Sequence, residues 1–405
     1  MKKIFFVFAA LLVAAPALFG QTKSVDENYR RSSIYSIMVS HDQEKYHTEI
    51  EDVFQTIPVP DKFDNHDLSV KVVTSSSKKV NEAEVTSFLK ANNVARHMVG
   101  RWFNRDPQTG ECDMNLIIHR GLYDATYFDV ELAKMSQRGY GMLSDAGEEL
   151  IGNTFVIVND IWYNDRNKGA RVAGAIFSVL GSIADAVLGT NGFSDLGDSL
   201  NALLSDLQGF GVHIVTYLYR LEWNDDIAND FYTRHYIAPG EVNQAKINDF
   251  NSYDGYSLKY IGKQESISGN LTLAGLNYYD PSAVMTKVCT RAIDESVVKL
   301  QKKYEEFKIK TPLFSVEPLT AKIGMKEGVT EKCRYEVLEP VIDENGRTSY
   351  KRVGVIAPVG GKIWDNRYMA IEEKAEGSNL TETTFKKISG GNFYPGMLIR
   401  EISVK

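Results

Sequence analysis

Residues 212–223 read VHIVTYLYRLEW, and this run decides the architecture. In an extended chain, His213, Val215, Tyr217, Tyr219, Leu221 and Trp223 share one face, and Val212, Ile214, Thr216 and Leu218 share the other. Both faces are largely apolar, as in a strand buried within a sheet that is covered on both sides. A strand of a membrane barrel would set a plainly apolar face against a polar one. The run therefore predicts an internal strand of a layered α/β domain.

Working upstream, residues 154–162 (TFVIVNDIW) predict a neighbouring strand, and 68–74 (LSVKVVT) alternates as a half-buried one. Asn81 and Glu84 have capping-box spacing, and Val85, Phe88, Leu89, Val94, Ala95, Met98, Val99 and Trp102 follow one helical face. DPQTG at 106–110 is a turn. MNLIIH at 114–119 reads as a strand, 124–137 as a helix and 145–151 as a short helix. Alternating strands and helices imply a mixed or mostly parallel sheet with helices on it. Residues 21–66 are polar with little periodicity and read as an N-terminal extension, so the α/β domain is placed at 67–309.

An uncharged run at 172–184 (VAGAIFSVLGSIA) interrupts that order, within an insertion spanning 170–208. It is too short to cross a bilayer as a helix and reads as a buried or interface helix, with Ile176, Leu180 and Ile183 as contact candidates. A second amphipathic helix is expected at 196–207. Downstream, 224–262 is loop-rich and aromatic, 266–273 suits a strand and 280–308 a long helix that Pro312 ends. From 311 to 405 the texture becomes short β runs at 314–316, 334–338, 349–357, 361–369 and 397–404, with turn signals between them. That spacing predicts a small all-β barrel or sandwich.

The first 20 of the 405 residues carry Lys2 and Lys3, an apolar run and a small-residue end. This is the layout of a secretory signal peptide, so export to the periplasm, the outer membrane or the outside is expected. A net charge of −7 argues against non-specific nucleic-acid binding, although a local basic patch remains compatible with it. The three cysteines, Cys112, Cys289 and Cys333, are widely spaced and form no CxxC motif. In an oxidising compartment any two of them could pair, leaving one thiol over.

Motifs for chemistry are few. GDSL at 197–200 spells the nucleophile block of one serine-esterase family, but no Asp-x-x-His follows, and Asp198 or Ser199 reads better as a helix cap. The seven histidines show no metal-ligand spacing, and no nucleotide-binding glycine loop occurs, so no cofactor is expected. Asp160, Asp165, Asp225 and Asp226 flank strand ends, where paired carboxylates could do acid–base chemistry, yet Asn-Asp pairs also serve turns. Tyr217, Tyr219, Trp223, Tyr232 and Tyr236 form an aromatic-rich candidate surface for a protein partner or a glycan.

Between residues 95 and 161 the order ARHMV, GECDM, LII, RG, DAGEELIG and TFVIVNDI resembles the curli-secretion-channel family and the N-terminal domains of TolB-like periplasmic proteins. The likeness covers roughly 70–225. An α/β domain of this kind followed by a small β-barrel is also similar to a family of periplasmic flagellar-assembly proteins. The chain departs from the channel pattern in lacking a lipidation cysteine and recognisable membrane hairpins. The resemblance implies a non-enzymatic role in envelope assembly through protein contacts or self-association. Peripheral membrane contact stays compatible with it. A secreted hydrolase or a glycan-binding protein is the alternative.

Overall fold

The computed structural model describes residues 32–123, 147–164, 210–268, 281–342, 348–370 and 380–402. It holds a mixed α/β domain followed by a closed, six-stranded barrel.

The sheet of the first domain is built on β1 (Ser33–His41), β4 (Thr154–Tyr163), β5 (Val212–Leu221) and β6 (Leu258–Ser268). The strands β1 and β4 run parallel, with Ile37 opposite Val158. The strands β4 and β5, and then β5 and β6, are antiparallel, with Tyr163 opposite Val212 and Val212 opposite Ser268. Two short strands, β2 (Asp64–Asn65) and β3 (Val72–Ser75), pair parallel with opposite ends of β1 on its outer edge.

The two-faced reading of residues 212–223 holds residue by residue. Tyr217, Tyr219 and Leu221 pack into one apolar cluster with Val156, Val158, Tyr35 and Ile37. Ile214 and Val212 face a second cluster, and Leu218 a third, both on the opposite side of the sheet. Helices α2 (Glu82–Ala91), α3 (Val94–Trp102), α5 (Asp225–Arg234) and α6 (Gln244–Ser252) supply the first layer. Helices α1 (His47–Thr56) and α7 (Pro281–Lys303) supply the second. Burial on both faces is what stabilises such a sheet, because each strand residue then removes apolar surface from water.

Several sequence expectations are corrected. Residues 21–66 are not an extension as far as they are described: β1 is an interior strand whose Ile34, Ile37 and Met38 are at most 1% exposed. Residues 114–119 form the start of helix α4 (Asn115–Tyr123), not a strand. The Asp113 carboxylate accepts a hydrogen bond from Asn115 N–H at 2.9 Å and starts the helix, which an apolar triplet alone does not reveal. The aromatic stretch 224–262 holds two helices, Asp225–Arg234 and Gln244–Ser252, and the start of β6. Of the strand expected at 266–273, residues 266–268 end β6 (Leu258–Ser268) and 269–273 lie outside the described residues. The single helix read over 81–103 is two helices, because Asn93 takes a left-handed conformation at φ 49° and turns the chain between them. The capping box of Asn81 and Glu84 is present in both directions.

The barrel comprises β7 (Thr311–Val316), β8 (Leu319–Ala321), β9 (Tyr335–Ile342), β10 (Thr348–Pro358), β11 (Thr383–Gly390) and β12 (Leu398–Glu401), closed in the order β10-β11-β8-β7-β12-β9. Leu313, Val337, Ile356, Phe385 and Ile399 fill it. Residues 361–369 are turns rather than a strand, and β11 supplies the missing wall. The long helix read over 280–308 ends sooner, at Lys303, and Pro312 lies inside β7, which begins at Thr311. Lys302 donates to Gly328 O at 3.1 Å, Arg291 to Tyr368 O at 2.7 Å, and Lys326 meets Asp61 at 3.0 Å, so the barrel is docked on α7 and the 60–62 turn.

The cysteines are free and buried, each in a different cluster: Cys112 among α3 and α5, Cys289 on α7, and Cys333 in the barrel. No helix among the described residues is long and apolar enough to cross a membrane.

Candidate functional site

A groove of about 940 Å³ lies between α3 and the 67–70 loop that joins β2 to β3. Its floor is apolar, from Tyr35 and Ile37 on β1, Phe88 on α2, Val94 on α3 and Phe250 on α6. Its rim carries Arg96, Arg101 and Arg105 with the imidazole of His97, whose pKa is lowered by burial and by the charge of Arg96, and Asp67 is its one acidic residue.

The break at Asn93 is what presents this rim. Residues 94, 95, 98, 99 and 102 of α3 turn inward and are buried, so the opposite face carries His97 and Arg101 outward. Gly100 also lines the groove, and the Phe250 ring lies 3.6 Å from where a Cβ would stand.

The four basic side chains differ in what holds them. Arg96 donates Nη1 to Tyr253 O at 3.2 Å, and burial lowers its pKa. Arg105 lays its guanidinium over the Phe250 ring at 4.1 Å. It donates Nη1 to Asp106 O at 3.4 Å, while its buried Nε and Nη2 have no acceptor among the described residues. Burial lowers its pKa too, but a guanidinium keeps its proton in proteins. Arg101 and His97 are exposed, and Arg101 meets no carboxylate among the described residues. Arg96 and Arg105 are thus built into the wall, while the Arg101 guanidinium and the His97 imidazole are exposed to a ligand.

A smaller hollow of about 230 Å³ shares Val94 and Arg96 with the groove and is lined by Thr86, Tyr219, Tyr253 and Tyr256. Arg96 is the partition between the two.

The histidines that meet carboxylates hold the fold together. His41 Nε2 bonds Asp160 Oδ1, and its Nδ1 bonds Ser77 O. Both partners are acceptors, so both ring nitrogens carry hydrogen and His41 is an imidazolium. Burial opposes that charge, but the bond to Asp160, the carboxylate's charge and the Ser77 carbonyl together raise the pKa. An imidazolium with both N–H groups engaged in a buried site has no free lone pair to act as a base. Asp160 also accepts from Val80 N–H at 3.1 Å, which ties the 75–80 segment to the sheet. His235, fully buried, bonds Tyr256 OH through Nδ1 at 2.6 Å and lies 3.2 Å from Asp249. Arg234 donates to Asp249 at 2.9 and 3.0 Å, which clamps α5 to α6.

The sequence candidates are distributed as follows. Tyr217 and Tyr219 are 2% and 1% exposed and belong to the core, so they form no contact surface. Their hydroxyls reach Val80 O and Thr86 Oγ1. Trp223, Tyr232 and Tyr236 are half-buried around Phe231, and Tyr232 bonds Glu148 at 2.7 Å. Their rings meet neighbours edge-on or tilted and do not form a coplanar platform. Asp225 and Asp226 lie in the first turn of α5, with Asn224 as its cap, remote from the role of Asp160. Ile176, Leu180, Ile183, Asp165 and the 197–200 block lie outside the described residues.

Phe88 and Val94 were legible as helix positions, whereas Tyr35, Ile37 and Phe250 were not, and nothing in the sequence marked any of them as a site. The one available signal was Arg96, His97, Arg101 and Arg105 at helical spacing in an acidic chain.

No family model matches the chain, and no curated protein matches it.

Proposed function

We propose that this is an exported, non-enzymatic protein of envelope assembly that works by holding a protein partner in the groove along α3. The observation that carries the reading is the exposed Arg101, without a carboxylate partner among the described residues, above an apolar floor. An apolar floor with a few convergent polar groups is the usual make-up of a binding site. Residues 1–20 support export, and the resemblance over 70–225 with a following barrel supports an assembly role. The buried, fully engaged His41–Asp160 pair offers little to the hydrolase alternative, and the tilted aromatic rings offer little to a glycan platform.

Photo-crosslinking in the producing cell tests this. A photoreactive residue at Asn92 or Asn104, both exposed on the groove, should give a discrete protein adduct that Arg101→Glu abolishes. The control is Val242, which is 82% exposed and off the groove. No adduct at 92 and 104, or the same adduct at 242, would defeat the proposal.

A further inference from the structure

We infer that the occupant of the α3 groove is an extended peptide segment that alternates acidic and apolar residues. The inference rests on the docking role proposed above and adds the chemistry of the partner.

Charge is the first argument. The chain is acidic overall at −7, yet this hollow gathers Arg96, His97, Arg101 and Arg105 against Asp67 alone. Asp67 is already engaged, since its Oδ1 accepts from Ser69 N–H at 2.8 Å. Arg105, with no carboxylate partner among the described residues and two buried nitrogens without acceptors, adds positive potential from beneath. A guanidinium favours planar, bidentate oxyanions, and a carboxylate is the oxyanion that proteins carry without modification.

Spacing is the second. His97 and Arg101 stand one helical turn apart, about 6 Å along α3. Side chains two residues apart on an extended chain stand about 6.6 Å apart on one face. Acidic residues at alternate positions therefore match the guanidinium of Arg101 and the imidazole N–H of His97. The intervening side chains then point to the other face, where Tyr35, Ile37, Phe88 and Val94 form the floor. Val70, 53% exposed on the opposite rim, supplies an apolar edge.

The floor also decides between two kinds of polyanion. An acidic glycan would stack on open ring faces, but the face of Phe250 is covered by Arg105. Aliphatic side chains fit the remaining surface better.

The test uses the mature chain and fluorescent ten-residue peptides in anisotropy titrations at low and physiological salt. The probes are a Glu-Leu repeat, a Gln-Leu repeat and a Glu-Ser repeat, with an oligogalacturonate as the glycan polyanion. The Glu-Leu peptide should bind at least tenfold more tightly than either relative, and salt should weaken it. Arg101→Glu should lower its affinity at least tenfold, with Arg101→Gln intermediate. Val70→Glu, which leaves every arginine in place, should weaken it as well. Both positions are exposed, and unchanged thermal melts will show that the variants fold. Equal binding of the Glu-Leu and Gln-Leu peptides, or no effect of Arg101→Glu, overturns the inference. Tighter binding of oligogalacturonate overturns it in favour of an anionic glycan. Failure of the peptides while the Asn92 adduct persists refutes the acidic-peptide chemistry but leaves the docking role. Loss of both refutes the groove.

Discussion

His41 Nε2 meets Asp160 Oδ1 where the parallel strands β1 and β4 end side by side, and both side chains are 1% exposed. The pair joins the interior strand of the sheet to the chain that enters α2, because Asp160 also holds Val80 N–H and His41 also holds Ser77 O. It is thus a structural clasp in a position where many α/β proteins place chemistry.

Asp160→Asn should destabilise the protein by about 3 kcal/mol, since it leaves a buried imidazolium without its counter-charge. The folded pKa of His41 is raised, so the pair contributes stability that is full below the unfolded value and fades as pH rises through the folded one. Urea denaturation at pH 6, followed by tryptophan fluorescence, measures the loss. A change below about 0.5 kcal/mol would contradict the clasp, because exposed pairs have that value.

His66 provides the opposite pH response. Burial pushes its pKa down to about 4, with the charges of Arg101 and Arg120 acting in the same direction against its bond to Met98 O. The unfolded chain takes up a proton near pH 6.5 and the folded chain does not. Stability is therefore full above pH 6.5 and falls as pH drops towards 4, by about 3 kcal/mol from this residue. His66→Phe keeps a ring beside Trp102 and should flatten the acid side of the stability profile. Identical slopes in the two proteins between pH 7 and 4.5 would refute it.

Asp294, on the α7 surface that meets the barrel, should act on the alkaline side. Burial pushes its pKa up to about 7, with Lys326 opposing and Glu327 and Asp61 reinforcing. A carboxyl with a raised folded pKa favours the folded state at low pH, and that advantage is lost as pH rises from about 4 to 7. Asp294→Asn should stabilise the protein at pH 8 by about 1 kcal/mol, allowing for the lost attraction to Lys326. It should add less at pH 5. Differential scanning calorimetry at the two pH values decides it, and a larger gain at pH 5 would reverse the assignment.

The cysteines predict redox indifference. Cys112, Cys289 and Cys333 occupy three separate cores, and burial raises the pKa of Cys112 and Cys289, the latter to about 12. Buried thiols of this kind are inert. The native protein should react with a thiol reagent only slowly, and with three equivalents once unfolded. Its melting temperature should be the same with and without reductant. Fewer than three titratable thiols in the unfolded, unreduced chain would reveal a disulfide and refute this packing.

Much of the fold was legible where a local pattern has one physical solution. The two apolar faces of residues 212–221 and the Asn81–Glu84 box both describe interactions within a few residues. Legibility failed where a short apolar run suits helix and strand equally, as at 114–119, where the Asp113 carboxylate makes the choice. It failed again at residues 33–41, whose apolar residues do not reveal that neighbouring strands will enclose them on both edges. The groove was the least legible part, because its walls come from α2, α3, α6, β1 and the 67–70 loop.

The sequence by itself determined a layered α/β domain followed by a small all-β barrel or sandwich, together with the strand faces and helix caps that build them. These follow from the periods of hydrophobic side chains and from capping, both of which act over a few residues. Tertiary structure alone decided that Tyr217 and Tyr219 are core, that His41 and Asp160 neutralise each other, and that Arg96, Arg101 and Arg105 face a common hollow. Those outcomes depend on which distant segments meet, since burial and charge pairing are set by neighbours in space and not by neighbours in the chain.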